Sequence, residues 1–360
     1  MTNKKNRTWA DFPEPLPAAA VDSHAHLDLI EEVRSEFSEI QESKGRAAVP
    51  AKSVRDYLID AAAAGVTGVV HSACDLPAVR SVGELLVEAM QGDRSTANVA
   101  DTSSDGSTDT AADTEPQPMI MDGHIGQPLP GFARVANLVA AVAIHPNEAA
   151  LHAGIQEPAI DGLDKQFQNW HEVSLEDAIS EVYQVAQTNP LVTAIGETGM
   201  DFFRTAESGQ AAQRLSFREH IRIAQELNLP IQIHDRLAHA EILEVLDSAG
   251  ILPPVVFHSF SGDQYFAKEC IQRGFYLSFS GPITYKKNDD LRAALLVTPL
   301  SQLLVETDAP FLTPEPFRGT PNAPYVVSYT LRYIAQLLER PLAEVCQATF
   351  ENSQTLVASR

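Results

Sequence analysis

Two histidines separated by one alanine, His24 and His26, end a short apolar run in the segment VDSHAHLDL, residues 21 to 29. Alternate side chains of a β-strand point to the same side, so both imidazoles would project together from a strand. Imidazoles placed in this way can bind a metal ion or act together in catalysis. A chance surface pair is the alternative, and the rest of the sequence must distinguish the two.

The composition describes a globular protein with a strong negative charge. Hydrophobic residues make up 44% of the 360 residues, which is enough for a large core, and the formal net charge is -22. No apolar run approaches about 18 residues, so no membrane span is expected. Cys74, Cys270 and Cys346 lie far apart without a CxxC spacing, and no secretory signal is evident, so we expect a reducing, cytoplasmic location. The charge argues against wide wrapping of duplex DNA.

Short apolar, β-rich runs alternate with segments that carry apolar residues at helical spacing. Eight such runs follow one another from AAVDSHAHL to LLVETDAP. Strands that alternate with helices indicate βαβ units and a parallel sheet, and eight of them favour a closed (β/α)8 TIM barrel over an open sheet. No GxGxxG follows the first strand, which argues against a dinucleotide-binding fold.

The chain is expected to form one domain with two departures from the barrel pattern. Residues 1–20 read as an N-terminal extension, and residues 21–360 as the barrel domain. Residues at about 92–130 are rich in Ser, Thr, Asp, Gly and Pro, which predicts a flexible acidic insertion. Residues 31–52 and 147–172 are further stretches for which the pattern predicts no definite structure.

Residues that can bind metal recur where the predicted strands end. Because the carboxyl ends of barrel strands converge on one mouth, we expect these side chains to be neighbours. Four imidazoles and two carboxylates exceed what one tetrahedral zinc needs and would suit two divalent ions with a bridging carboxylate. The six residues are His24, His26, Glu197, His234, His258 and Asp308.

Each of these residues also has a purely structural interpretation. Glu197 could cap the segment that follows it, and Asp308 could cap a turn before Pro310. His145 precedes a proline and could either line the mouth or be structural. Surface positions are expected for five histidines in loops or predicted helices, which are His124, His152, His171, His220 and His239.

The motifs resemble those of the TatD family of metal-dependent hydrolases, in the amidohydrolase-like barrel superfamily. The resemblance rests on DSHAHLD, AIHP, AIGETGMDFFR, QIHDR, HSFSG and LLVETDAPFLTPEPFRG, which occur in the family's order. It implies that His24 and His26 form the first metal pair and that Glu197 bridges two metals. It also implies that His234 and His258 bind the second metal.

The same resemblance makes Asp308 the remaining ligand, which orients or deprotonates the attacking water; Asp308 and Glu197 are therefore the expected catalytic residues. The chain also departs from the family pattern. Ser259 replaces the usual Cys, Leu237 replaces a usual acid, and a Phe pair replaces the usual Tyr pair after Met200-Asp201. These changes could alter substrate preference without removing a metal ligand.

The resemblance implies a deoxyribonuclease or phosphodiesterase that uses two divalent ions (Mg, Mn or Zn) and a metal-activated water. The alternative on the same site is a D-aminoacyl-tRNA deacylase or another ester or amide hydrolase, and a metal-binding protein without catalysis is the third possibility. We expect a short or single-stranded DNA substrate, with tRNA as the alternative, and no membrane partner. Substrate contacts are assigned to Arg204, Arg318 and His145.

Overall fold

The structure is a computed structural model that describes residues 9–91, 135–157 and 167–358. The acidic insertion predicted at about 92–130 lies outside the described residues. No helix in the described ranges is long and apolar enough to cross a membrane.

Eight parallel strands form one sheet in which each strand pairs with the next along the chain, from β1 to β8. This order, with helices between the strands, confirms the prediction of a (β/α)8 barrel. The strands are β1 (Ala20–Ala25), β2 (Val66–Ala73), β3 (Asn137–Val142), β4 (Val192–Asp201), β5 (Ile231–Arg236), β6 (Val255–Phe257), β7 (Tyr276–Phe279) and β8 (Leu303–Val305).

Eleven α-helices are found in the described residues. They are α1 (Ile30–Glu42), α2 (Val54–Ala63), α3 (Leu76–Gln91), α4 (Pro146–His152), α5 (Leu175–Thr188), α6 (Gln210–Leu227), α7 (His239–Ser248), α8 (Gln264–Gln272), α9 (Asp289–Val297), α10 (Val327–Leu337) and α11 (Leu342–Val357). Helices α1 and α4 occupy parts of the two stretches, residues 31–52 and 147–172, for which the sequence predicted no definite structure.

Local sequence signals explain several helix ends. Ser53 begins α2 with a capping box in which its side chain and that of Asp56 satisfy each other's backbone N–H groups. Ser174 and Asp263 cap α5 and α8 through their side-chain oxygens. Helix α6 ends at Asn228, whose left-handed backbone (φ 53°) stops the helix.

The barrel closes between its first and last strands. The backbone N–H of Asp308, just after β8, donates to the carbonyl of His24 at 2.9 Å, and Ala25 and Ala309 form a parallel bridge. Inside the barrel, apolar side chains from five strands pack with Leu356 of α11, so the last helix covers one end of the interior. These strand residues are Val70, Ala141, Ala194, Val256 and Leu304.

The described part of the N-terminal extension packs on the outside of the barrel. The backbone N–H of Leu16 donates to the carbonyl of Ala64 at the end of α2. The Tyr325 hydroxyl donates to the carbonyl of Ala10 at 3.0 Å. These bonds hold the chain before β1 against two neighbouring segments.

Candidate metal centre

Six side chains from five strands meet at the carboxyl end of the barrel, and we call them the candidate metal centre. Two are on or just after β1, and the others come from β4, β5 and the residues that follow β6 and β8. Five of the six are at most 9% exposed, so they form an interior cluster at the mouth. They are His24, His26, Glu197, His234, His258 and Asp308.

The first half of this centre contains four ligand atoms at nearly equal separations. The Nε2 atoms of His24 and His26 are 3.3 Å apart, and Oε1 of Glu197 lies 3.8 and 3.4 Å from them. Oδ1 of Asp308 lies 3.9 and 3.4 Å from the same two nitrogens. Ligands bound tetrahedrally at about 2.0–2.2 Å are about 3.3–3.6 Å apart, so these atoms fit one divalent ion.

The second half is built on the other oxygen of the same glutamate. Oε2 of Glu197 lies 3.0 Å from Nδ1 of His234 and 2.6 Å from Nε2 of His258, and these two nitrogens are 3.2 Å apart. Nε2 of His145 lies 3.9 Å from the same oxygen. One carboxylate therefore connects two groups of potential ligands.

A β-bulge places Glu197 between the two groups. Between Ile195 and Thr198, β4 has one residue more than the paired segment of β5, and a bulge of this kind redirects a side chain. At Gly199 (φ 142°), a Cβ atom would lie 2.1 Å from the carbonyl oxygen of His234. A larger residue could not occupy this position unless β4 and β5 moved apart.

The glutamate and the imidazoles in the cluster each stabilise the charged form of the other. Burial alone would raise the pKa of Glu197, but the neighbouring imidazoles of His258 and His145 and the hydrogen bond with His234 hold it well below its usual range. Burial alone would lower the pKa of His258, yet the Glu197 carboxylate raises it well above its usual value. Glu197 is therefore an anion at neutral pH, as a metal ligand must be.

Outer hydrogen bonds orient the two imidazoles of the first group. Nδ1 of His24 bonds to Oε1 of Gln232 at 3.0 Å, and Nε2 of Gln232 donates to the carbonyl of Ser23, which fixes the amide orientation. Nδ1 of His26 donates to the carbonyl of Ser72 at 3.1 Å. Both outer nitrogens thus carry the proton, and both Nε2 atoms present a lone pair to the centre.

Carboxylates orient the imidazoles of the second group. Nε2 of His234 bonds to Oδ2 of Asp201 at 3.3 Å. Nδ1 of His258 has no hydrogen-bond partner but lies 3.3 Å from Oε1 of Glu306, so this carboxylate acts on the ring through its charge. Carboxylate–histidine–metal arrangements of this kind hold ligands in place and make them more basic. Neither of these acids, nor Gln232, was predicted from the sequence. The signal was a polar residue within an otherwise apolar strand segment, in GETGMD and in LLVETD.

The orientation of the rings is a test of whether these residues fit a metal. Every outer nitrogen faces an oxygen acceptor, so the inner nitrogens are unprotonated when the rings are neutral. Four lone pairs and two carboxylates would then face one small volume, so this protonation state needs a cation at the centre; without one, the raised pKa of His258 favours a proton there instead. The donor set fits divalent ions bound by nitrogen and oxygen.

A buried aspartate on β1 holds the loop that carries Asp308. Oδ1 and Oδ2 of Asp22 accept hydrogen bonds from the backbone N–H and the hydroxyl of Thr307, at 2.7 and 2.6 Å. Asp308 itself has a left-handed backbone (φ 56°), which is costly for a residue with a side chain. The surrounding hydrogen bonds therefore fix the direction of this carboxylate.

The three predicted substrate contacts are in different situations. His145 begins α4 beside the second ligand group. Arg204 is half-buried in the loop after β4, and its backbone N–H donates to Oδ1 of Asp201 at 2.7 Å. Arg318 is exposed after β8, with its guanidinium 4.1 Å from the ring centroid of Tyr285. Their roles in substrate binding stay predictions.

The expected surface location of five other histidines is wrong for three of them. His220 is fully buried, and His152 and His171 are 6% and 4% exposed. Oε2 of Glu148 lies 2.7 Å from Nε2 of His171, so hydrogen bonding to neighbouring segments, which helical spacing does not reveal, accounts for the burial. His239 is half-buried. His124 lies outside the described residues.

Comparison with known proteins agrees with this geometry. The chain is 31% identical over 338 residues to an uncharacterized metal-dependent hydrolase, TatD, of Mycobacterium tuberculosis, covering 93% of this chain and 96% of the relative. It is 38% identical over 191 residues to the uncharacterized metal-dependent hydrolase YabD of Bacillus subtilis, covering 52% and 74% of the two chains.

Solved structures share the fold. The TatD homolog YjjV of Escherichia coli K12 has a TM-score of 0.62 at 22% identity, with 95% of this chain and 98% of that chain covered. A TatD family hydrolase of Entamoeba histolytica has a TM-score of 0.64 at 14% identity, with 94% and 98% covered.

A (β/α)8 barrel with imidazoles and carboxylates at its carboxyl mouth has the architecture of metal-dependent hydrolases. The family described as TatD related DNase matches residues 21–358. The chain belongs to this family, and the protein is a TatD-family metal-dependent hydrolase, as the sequence motifs predicted.

Proposed function

We propose that this protein is a two-metal phosphodiesterase that acts as a deoxyribonuclease. The observation that carries the proposal is the position of Glu197, because its two oxygens face two separate groups of potential ligands. The family description, TatD related DNase, supports the same reaction class. Bound divalent ions, for which Mg, Mn and Zn are candidates, would supply Lewis acidity and lower the pKa of a bound water.

Asp308 is the residue we assign to the proton of the attacking water. Its side chain is 13% exposed, compared with 5% for Glu197, so it borders the side from which water and substrate enter. A carboxylate held at this edge can orient the water and accept its proton. Glu197 holds the two halves of the centre at a fixed separation.

His145 is suited to donate a hydrogen bond to the substrate. Its Nδ1 accepts the backbone N–H of Asn147 at 3.1 Å, so the neutral ring carries its proton on Nε2. This Nε2 points toward the second group, 3.9 Å from Oε2 of Glu197. An N–H in this position can stabilise negative charge on a phosphate oxygen. Arg204 and Arg318 are assigned to more distant phosphates.

The substrate we infer is a short or single-stranded DNA end. The net charge of -22 repels a long polyanion. Cations at the end of β5 and in the loops that follow β7 and β8 can attract a few phosphates locally, and they include Arg236, Lys286, Lys287 and Arg318.

The test is hydrolysis of a labelled single-stranded DNA by metal-stripped protein that is resupplied with Mg, Mn or Zn in separate reactions. We expect cleavage to return with metal and to be lost in Glu197→Ala. The matched control is Glu181→Ala, because Glu181 pairs with Arg80 on the surface and should leave cleavage unchanged.

Two results would contradict the proposal. One is cleavage without metal at the wild-type rate, and the other is absence of DNA cleavage in protein that binds two ions per chain. In the second case the same preparation is tested on D-aminoacyl-tRNA and on a panel of esters and amides. Hydrolysis of one of these substrates would show that the centre catalyses deacylation of tRNA or hydrolysis of another ester or amide.

A further inference from the structure

We propose that the mouth of the barrel contains a subsite that recognises an unpaired base and its flanking phosphates. In this subsite Phe311 stacks on the base, and Arg236 and Arg318 bind the phosphates. The proposal rests on the phosphodiesterase function above and deepens it, because it assigns the preference for single strands to particular residues.

Phe311 lies beside the candidate metal centre and remains open to solvent. Its ring centroid is 6.0 Å from that of His26, and its backbone N–H donates to the carbonyl of Asp308 at 2.8 Å. The ring is 45% exposed, whereas Phe260 is 4% exposed and Phe203 is half-buried. An exposed ring next to metal ligands can stack on a base of any sequence.

The two arginines lie over aromatic rings near the mouth. Arg236 ends β5, and its guanidinium lies 4.1 Å from the ring centroid of Phe203; Arg318 lies 4.1 Å from that of Tyr285. Stacking occupies the face of a guanidinium and leaves its N–H edges available. Those edges match the oxygens of a phosphate, which they can bind in pairs.

Elsewhere in the described chain, arginines commonly pair with acids. No ion pair with a carboxylate is found for Arg236 or Arg318 among the described residues. In a chain with 48 acidic and 26 basic residues, this leaves both guanidinium groups available to an external anion. The arginines that pair with acids include Arg34, Arg80, Arg214, Arg222, Arg273, Arg292 and Arg340.

The arrangement favours an unpaired end over a duplex. Phe311 and Arg318 follow β8, and Arg236 ends β5, so the two cations come from strands that are not neighbours in the sheet. A base can stack on Phe311 only when its face is open, which is true of a terminal or unstacked nucleotide. Paired bases inside a duplex do not present that face.

The first experiment measures binding without hydrolysis. Metal-loaded protein is titrated into a phosphorothioate oligonucleotide that carries terminal 2-aminopurine, whose fluorescence falls when it stacks. We expect quenching by the wild type and about 5- to 100-fold weaker binding by Phe311→Leu. Phe12→Leu is the matched control, because Phe12 is 51% exposed and packs on Tyr325 before β1. Equal quenching and affinity in wild type and Phe311→Leu would overturn the assignment.

The arginines are tested by the salt dependence of the same binding. Arg236→Gln and Arg318→Gln should each reduce the slope of log K against log salt by about 0.7, the value for one phosphate of a single strand. Arg340→Gln, on a residue that pairs with Glu344, should leave the slope unchanged. An unchanged slope in both mouth variants would remove the arginines from the subsite.

The second experiment separates base recognition from the reaction. Wild type should hydrolyse a base-bearing substrate more efficiently than an abasic one, and Phe311→Leu should lose this preference through KM. Cleavage without quenching would leave the reaction standing and reject the subsite. Quenching that depends on Phe311, without cleavage of any phosphodiester, would support the subsite and reject the reaction.

Discussion

His24 and His220 are both fully buried, but their rings are bonded in different ways. In His220, Nε2 accepts the backbone N–H of Ile144 at 3.1 Å, and Nδ1 donates to the carbonyl of Ser216 at 2.7 Å. In His24, Nδ1 bonds to Gln232, whereas Nε2 faces a second imidazole and the carboxylates of the metal centre. Both ring nitrogens of His220 are hydrogen-bonded to backbone groups, whereas neither ring nitrogen of His24 has a backbone partner.

This difference separates structural histidines from candidate ligands better than burial does. Burial lowers the pKa of His220 to about 4, so its ring is neutral. His258 is also buried, but the adjacent Glu197 raises its pKa. A ring nitrogen that has no backbone partner and shares a small volume with carboxylates indicates a place for a cation.

The largest expected effect distinguishes His258→Ala from His220→Ala. His258→Ala should lose the second ion of the proposed pair and reduce turnover about 10³-fold or more, because a proposed ligand is removed. His220→Ala should keep both ions and lose about 1–3 kcal/mol of stability, because the Ile144 N–H loses its partner. Metal analysis, turnover and chemical unfolding measure these effects. Equal metal loss in both variants would contradict the distinction.

Within the metal centre, Asp308→Asn should separate metal binding from catalysis. The amide can still coordinate through oxygen but cannot accept the proton of water, so we expect about 10²–10⁴-fold slower turnover with most metal retained. Metal content and kcat are measured on the same preparation. Turnover close to that of the wild type would remove Asp308 from the role of base.

Protonation of His220 should make the free energy of unfolding depend on pH. Its pKa is about 4 when folded, against an ordinary value of 6.5, so below pH 6.5 the unfolded chain takes up a proton that the folded chain resists. Stability from this group is therefore complete above pH 6.5 and is lost progressively as the pH falls toward 4, by up to about 3 kcal/mol.

His220→Gln should flatten this part of the profile while keeping an acceptor near Ile144. His239→Gln is the control, because the pKa of His239 is shifted in the opposite direction to that of His220. Asp235 raises the pKa of His239 against the effect of burial, so His239 stabilises the fold below pH 6.5 and this contribution is lost at higher pH. Chemical unfolding from pH 4 to 8 measures both. Identical profiles for His220→Gln and wild type would show that His220 does not titrate in this way.

The smallest expected effect concerns the outer partner of His24. Gln232→Ala removes the bond that orients the ring, and we expect about 10- to 100-fold weaker metal affinity in the first group. Gln225→Ala is the matched control, because Gln225 bonds to the carbonyl of Ala249 on the surface. A competition titration with a chelator measures the affinities. An unchanged affinity would mean that packing alone orients His24.

Much of the fold could be predicted because its signal is local. Eight apolar runs alternate with helical segments, and each run or helix is recognised from residues close together in sequence. Helix α1, Ile30–Glu42, was not predicted; Leu29, which precedes it, provides no side-chain cap that would mark its start. The burial of His220 was not predicted, because its hydrogen-bond partner, Ile144, is 76 residues away in the sequence.

The sequence by itself determined the family, the barrel and the six residues of the candidate metal centre, because residue types at strand ends and motif order are properties of the chain. Only the tertiary structure decided which atoms converge. The two oxygens of Glu197 face separate groups because of a bulge in β4, and Gln232 orients His24 across 208 residues. Such contacts depend on strand register and ring orientation, which are set when the barrel closes.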